Sequence, residues 1–290
     1  MEEIRYEAPT SIARASELLR EPGARVLAGG TDLIVQMRTG RVEPRVFVDV
    51  KRIPELASIR LDAGRLWLGA AVPAALVVEN ADICRLFPGL VEAVDLIGST
   101  QIQGRASVGG NVCNASPAAD TVPALIAIGA ICAIAGAFGE RRVPIETFST
   151  APGRNVLRPG EILVGFEIPL PAARTADAYL RFIPRTEMDI AVVGAGVAVT
   201  LDASGVCTQA RVALGAVAPT VILVPAAMTA LVGSRGDDAA LARAAEASRA
   251  ATRAIADKRG SVEFRRKIAG VLTKRVAAAA FERARGERSR

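Results

Sequence analysis

Between residues 98 and 120 the chain reads GSTQIQGRASVGGNVCNASPAAD, a run of small, polar and turn-forming residues inside an otherwise strongly apolar protein. A loose linker would not interleave Ile102, Val108 and Val112 with its glycines, so an ordered loop is expected here. A shorter upstream segment, VLAGGTDL at residues 26–33, has the same character: an apolar strand breaks at a glycine pair and re-enters a helix. The elements between and around these two segments set the architecture.

Ile12, Ala15, Leu18 and Leu19 share one helical face behind Thr10 and Ser11, which are N-cap residue types. Residues 25–28 read as a short strand, Gly29 and Gly30 as a tight turn, residues 31–38 as a helix and residues 46–50 as a second buried strand. These form a first α/β lobe over residues 1–57. A second lobe over 58–172 has a strand at 66–72, helical stretches at 74–80 and 81–97, an apolar helix at 121–128 and strands at 131–135 and 162–168. A Pro-containing linker at 169–177 leads into a third unit, 173–290. There, strands at 179–183, 190–201 and 206–217 form an antiparallel meander, with a hairpin turn at Asp202-Ala203-Ser204-Gly205. Helices are predicted over 226–232, 237–255 and 261–285, the last with Phe264, Ile268, Val271, Leu272 and Val276 on one stripe. The fold class is α+β.

Several chemistries are excluded by what the chain lacks. It has no histidine, which removes a Ser-His-Asp triad, a Cys-His dyad and any His-ligated metal or haem. Cys84, Cys113, Cys132 and Cys207 are far apart with no CxxC pair, so no iron–sulfur or zinc ligand set is present, and they read as core residues in a reducing cytoplasm. The net charge of +6 could attract phosphate-bearing partners, but Lys and Arg are scattered until residues 243–290, which read as solvated helix faces. One Trp, two Tyr and eight Phe argue against an aromatic stacking surface for single-stranded nucleic acid. The acidic N-terminus has no apolar signal region and no stretch makes an uninterrupted membrane span, so a cytoplasmic protein is expected.

The chemistry must then come from the glycine segments. In the first, Val26, Leu27, Ala28, Gly29, Gly30, Thr31, Asp32 and Leu33 would present unpaired amides beside a helix N-terminus, a pattern suited to a pyrophosphate. A plain strand-to-helix turn would look similar. The second offers Ser107, Val108, Gly109, Gly110, Asn111 and Asn114, with the Asp120 carboxylate placed to accept a sugar hydroxyl. It could equally be a capped turn in which Asp120 caps the following helix. Neither matches GxGxxG or GxxxxGK[ST], which disfavours a standard Rossmann site or a nucleoside triphosphatase. Two nests from different lobes suit an extended dinucleotide in an interlobe cleft.

LAGGTDL at residues 27–33 and IGSTQIQGRASVGGNVCNASPAAD at residues 97–120 resemble the two FAD loops of the flavin module of molybdenum hydroxylases, the xanthine dehydrogenase and carbon monoxide dehydrogenase family. EIL at 161–163, RTEMDIA at 185–191 and SVEFRR at 261–266 extend the resemblance nearly end to end. It implies a two-lobed PCMH-type FAD-binding domain followed by a C-terminal domain of a three-stranded antiparallel sheet with a helical bundle. It further implies that backbone from Val26 to Leu33 and at Gly109 and Gly110 holds the diphosphate, that Ser107, Asn111 and Asn114 add hydrogen bonds, and that Asp120 binds ribose. Ile97 and Leu163 would line the adenine or flavin walls. Arg181 stands where relatives often have a lysine near the flavin, and Ile190 where carbon monoxide dehydrogenases carry an aromatic. The chain departs from the family in two respects. It has no inserted cysteine-rich loop of the kind that 4-hydroxybenzoyl-CoA reductases carry, and its first loop reads AGGTD in place of AGGHS. Those features disfavour the benzoyl-CoA subgroup and weaken carbon monoxide as substrate.

The function implied is electron transfer within a dimer of heterotrimers. A large molybdenum-cofactor subunit hydroxylates a purine, an aldehyde, an N-heterocycle or carbon monoxide, a small subunit with 2Fe–2S clusters passes on the electrons, and FAD on this chain delivers them to NAD, oxygen or a quinone. Two alternatives stay open: a free-standing FAD oxidoreductase of the vanillyl-alcohol-oxidase-like superfamily, and a nucleotide-binding scaffold without a redox role.

Overall fold

The computed structural model describes residues 4–185 and 188–286. Its first sheet is parallel, in the order β1-β3-β2, from β1 (Arg5–Glu7), β2 (Ala24–Leu27) and β3 (Val46–Asp49). Parallel neighbours need a crossover, and α1 (Ile12–Leu18) and α2 (Leu33–Arg38) supply the two. Ser11 starts α1 by accepting the Arg14 amide, satisfying one of the first-turn donors. So small a sheet cannot close a core alone: Leu18, Val46, Val48 and Ile53 pack with Ala71, Ala135, Ile162 and Val164 from further along the chain. The Ser16 hydroxyl ties the seam by donating to the Gly160 carbonyl at 2.7 Å.

The second sheet is antiparallel, in the order β4-β5-β10-β6-β7. Its strands are β4 (Ile59–Asp62), β5 (Arg65–Gly69), β6 (Ile131–Gly136), β7 (Gly139–Pro144) and, after a small hairpin of β8 (Ser149–Ala151) and β9 (Arg154–Asn155), the central β10 (Ile162–Pro169). Between β5 and β6 the chain makes six short helices: α3 (Ala74–Val78), α4 (Ala81–Leu86), α5 (Pro88–Val94), α6 (Thr100–Gln103), α7 (Val108–Cys113) and α8 (Thr121–Ala127). Leu66, Leu68, Ile83, Leu90, Leu125 and Phe166 join helices to sheet in one core.

Three differences from the sequence reading have local causes. The helix expected over 81–97 divides at Phe87, because Pro88 has no amide to continue α4 and instead starts α5. The ordered loop expected over 98–120 contains α6 and α7, so the Gly109-Gly110 pair is helical and not a turn. Strands β1, β4 and β7 are short and largely exposed, so they lack the apolar run or clean alternation that marks a strand.

The C-terminal part carries the expected meander of β11 (Thr175–Phe182), β12 (Val193–Leu201) and β13 (Cys207–Gly215), extended by the two-residue β14 (Ile222–Leu223). Its helices are α9 (Pro225–Leu231), α10 (Asp238–Ala251) and α11 (Val262–Ala284). One face of this sheet packs on α9 and α11, which α10 backs in turn, through Val197, Val199, Val212, Ala227, Leu272 and Val276. The other face receives α8, and Gly196 makes the approach possible: a Cβ there would lie 2.5 Å from the Pro123 carbonyl oxygen. Thr186 and Glu187 of the RTEMDIA motif lie outside the described residues. Among the described residues, no helix is long and apolar enough to cross a membrane.

Strand β11 also docks through polar groups. Nothing on Phe87 caps α5, and the carboxylate of Asp177 does so from the other sheet, Oδ2 accepting the Leu90 amide at 2.9 Å. Burial pushes the Asp177 carboxyl up to about 7 against the Gly89 and Leu90 amides, with Glu92 adding to the rise. The folded chain therefore holds this proton more tightly than the unfolded chain, where the carboxyl titrates near 3.8. Its contribution to stability is complete below that value and is lost as pH rises through about 7. Asp177→Asn keeps an acceptor for the Leu90 amide, so the melting temperature of the variant should fall less than that of the parent across this window; parallel curves would show that Asp177 does not titrate there.

Candidate functional site

The two glycine segments meet. Gly29 leaves β2 directly beneath the second segment, where a Cβ would stand 1.9 Å from the Arg105 carbonyl oxygen. Side chains continue the junction: Gln36 Nε2 donates to Asn114 Oδ1 at 3.0 Å, and Asn114 Nδ2 to Asp32 Oδ1 at 3.4 Å. Between the segments lies a cavity of about 290 Å³. Val26, Ala28, Gly29, Gly30, Thr31, Asp32 and Leu33 line one side, and Ile97, Ser107, Gly109, Gly110, Asn111, Asn114 and Leu163 line the other.

On the first segment the geometry is that of a nest. Gly30 has φ of 76°, the left-handed region that glycine enters without cost. Among the described residues, no backbone carbonyl accepts the amides of Gly29, Gly30, Thr31 or Asp32. Four free donors beside one cavity can bind an anion. Leu27, the last residue of β2, is absent from the lining, whereas Val26 and Ala28 on either side of it are part of it. The Asp32 carboxyl is raised by burial at the cavity wall.

The second segment works differently from the sequence reading. Gly109 lines the cavity with its backbone and has no space for a side chain: a Cβ on it would come within 2.3 Å of the Ala70 carbonyl oxygen, so glycine here lets α7 pack on the end of β5. Val108 points into the core and is 1% exposed. The Ser107 hydroxyl accepts the Gly110 amide at 3.1 Å as an N-cap, and Asn111 Oδ1 accepts the Thr121 hydroxyl at 2.7 Å. These side chains first hold the segment together; the Ser107 O–H and the Asn111 amide NH2 are what they have left for a ligand. Burial pushes the Cys113 thiol up to about 12, so it lines the cavity as an unreactive apolar group.

Besides Leu27 and Val108, three expected site residues lie off the cavity wall. Asp120 is buried at the junction with the C-terminal sheet, where Oδ1 accepts the Tyr179 hydroxyl at 2.8 Å and Oδ2 the Arg181 guanidinium at 2.6 Å. Burial raises its carboxyl, against the pull of Arg181 and Tyr179. Arg181 also donates to the Leu96 carbonyl at 3.1 Å, one residue from Ile97 in the lining. In this arrangement both oxygens of Asp120 are engaged by protein donors, a pairing of distant residues that its place before an apolar helix could not reveal. Ile190 is 51% exposed on the segment after β11, away from the cavity. Arg25, Gln36, Cys113, Leu157 and Ile162 line the cavity without having been expected. Gln36 was detectable, standing one helical turn after Asp32 on the same face; Leu157 and Ile162 come from far along the chain and carried no local signal. No cluster of metal-ligating side chains occurs among the described residues.

Two lobes joined over a glycine-lined nest, with a separate sheet-and-helix domain behind them, define a dinucleotide-binding flavoprotein subunit. Residues 2–171 match the family described as "FAD binding domain in molybdopterin dehydrogenase", and residues 178–280 the "CO dehydrogenase flavoprotein C-terminal domain". The chain is 31% identical over 281 residues to the carbon monoxide dehydrogenase medium chain of Hydrogenophaga pseudoflava, covering 96% of this chain and 97% of that one. It is 34% identical over 220 residues to the xanthine dehydrogenase FAD-binding subunit of Escherichia coli O157:H7, covering 75% of each. The solved Hydrogenophaga pseudoflava carbon monoxide dehydrogenase lacking the Mo-pyranopterin moiety superposes with a TM-score of 0.92 at 31% identity, over 97% of this chain and 98% of that one. This chain belongs to the FAD-binding medium-subunit family of the molybdenum hydroxylases, a family of oxidoreductase subunits, and FAD is its cofactor.

Gly29→Ala should test the junction of the two segments. Its methyl group meets backbone, which cannot rotate away, so a loss of about 1–3 kcal/mol in unfolding free energy is expected. Gly110→Ala meets only the Ser107 hydroxyl at 3.2 Å and should cost much less; equal costs in denaturant titrations would show that the Arg105 contact is not rigid.

Proposed function

We propose that this chain is the flavin-bearing electron-transfer subunit of a heterotrimeric molybdenum hydroxylase. In this reading it divides into lobes at residues 1–57 and 58–172 and a C-terminal domain at 173–290. Its partners are a large molybdenum-cofactor subunit and a small 2Fe–2S subunit, assembled in the cytoplasm as a dimer of heterotrimers. The observation that carries the site is the set of four unaccepted amides, from Gly29 to Asp32, on residues that line the cavity the second segment closes.

The fit to FAD follows from that donor set. Amides of Gly29, Gly30, Thr31 and Asp32 would hold the diphosphate, and the Ser107 hydroxyl and Asn111 amide group would add donors from the facing wall. Ile97 and Leu163 would exclude water from the ring system. Arg181, held beside Ile97 by Asp120 and the Leu96 carbonyl, would place an ion pair one layer behind that wall. Bound FAD supplies the exchange of electrons between the clusters of the small subunit and an acceptor such as NAD, oxygen or a quinone. The chain's own residues bind and orient, and need no acid–base pair. The hydroxylated substrate, a purine, aldehyde, N-heterocycle or carbon monoxide, would be selected on the large subunit.

Gly110→Asp puts a carboxylate on the cavity wall at a position where a Cβ meets only the Ser107 hydroxyl, at 3.2 Å. We expect the full chain to keep its melting temperature within a few degrees and to lose FAD affinity at least tenfold, measured by quenching of flavin fluorescence; undiminished FAD binding would remove the cavity as the site. Co-purification with a large molybdenum subunit and a small iron–sulfur subunit is the expected result of tagging this chain in its own cells.

A further inference from the structure

We propose that Lys51 is a positioning residue for the diphosphate segment, acting from outside the cavity through the Ala28 carbonyl. The inference rests on the reading of the cavity as the site of FAD. Lys51 follows β3, and its Nζ donates to the Ala28 carbonyl oxygen at 2.9 Å and to Asp49 Oδ1 at 2.7 Å. Asp49 is itself held in place: it is 6% exposed, its Oδ1 accepts the Lys51 amide at 3.0 Å, and its Oδ2 accepts the Tyr6 hydroxyl at 2.5 Å. The next bond along has the same sense, with the Val50 amide donating to the Leu27 carbonyl at 3.2 Å. Tyr6, Asp49 and Lys51 thus form a brace from β1 across β3 to the segment that bears the nest.

The effect of the brace follows from peptide planarity. The Ala28 carbonyl and the Gly29 amide belong to one peptide unit and point in opposite directions. Holding that carbonyl from outside therefore fixes the Gly29 N–H on the other side, where no protein acceptor meets it. An ammonium donor also polarises the peptide and strengthens its N–H toward an anion. The cavity needs such help, since its charged lining residues are Arg25 and Asp32, whose charges cancel, and Asp32 belongs to the nest itself. Without Lys51 the Ala28–Gly29 peptide could rotate, and the carbonyl oxygen would then face the phosphates.

The test compares FAD with riboflavin, which has no phosphate, on the flavin-stripped full chain. Lys51→Met should weaken FAD roughly 10- to 100-fold, the range for loss of one charge-assisted hydrogen bond, and leave riboflavin affinity within about twofold. Lys51→Arg, which keeps a charged donor, should restore most of the FAD affinity. Equal weakening of both flavins, or FAD affinity unchanged in Lys51→Met while Gly110→Asp abolishes it, would overturn the role of Lys51 alone. Unchanged FAD binding in both Lys51→Met and Gly110→Asp would overturn the cavity as the diphosphate site.

Discussion

The approach of Gly29 to the Arg105 carbonyl is the contact on which the site depends. At a projected 1.9 Å, even a methyl group would force the two segments apart, and separation would open the cavity to solvent along the seam. The contact needs no attraction of its own to be specific. It follows from packing on either side: the small parallel sheet must borrow Ala71, Ala135, Ile162 and Val164 to bury its apolar residues, and that shared core draws the first segment under the second. Ala71 and Ile162 belong both to that core and to the cavity lining.

The C-terminal domain is bound to this unit by a different kind of interaction. Strand β11 sends Asp177 to the α5 amides, Tyr179 to Glu92 and Asp120, and Arg181 to Asp120 and Leu96. Arg283 of α11 completes the seam by pairing with Glu92 and donating to the Asp177 carbonyl. Buried charges of this kind are costly to leave unpaired, so the two domains have essentially one way to dock. The seam runs behind Ile97, which makes the C-terminal domain part of the cavity's outer wall although none of its residues lines the cavity.

Much of the fold was legible because its elements are locally encoded. The Ser11 cap, the valine-rich strand β3, the Asp202–Gly205 turn and the three C-terminal helices all carry signals within a few residues. The short edge strands were not legible, since their partners and not their own side chains make them strands. In the site, the first segment was readable from its glycine pair at a strand end. The second was misread in detail: helix α7 has Gly at two of its six positions, a composition that argues for a turn and is overridden because Gly109 must pass the Ala70 backbone.

What the sequence alone determined was the kind of chemistry. A chain without histidine and without clustered cysteine must bring an external cofactor to do redox work, and two glycine segments in separate lobes indicated a dinucleotide. Only the tertiary structure decided which groups line the cavity. It left the Gly29 to Asp32 amides without a backbone acceptor beside the cavity, engaged Asp120 with Arg181 and Tyr179, and set Lys51 behind Ala28. The physical reason is that hydrogen-bond partners far apart in sequence are chosen by packing, and a polar side chain cannot signal in advance whether it will meet a ligand or another residue of its own chain.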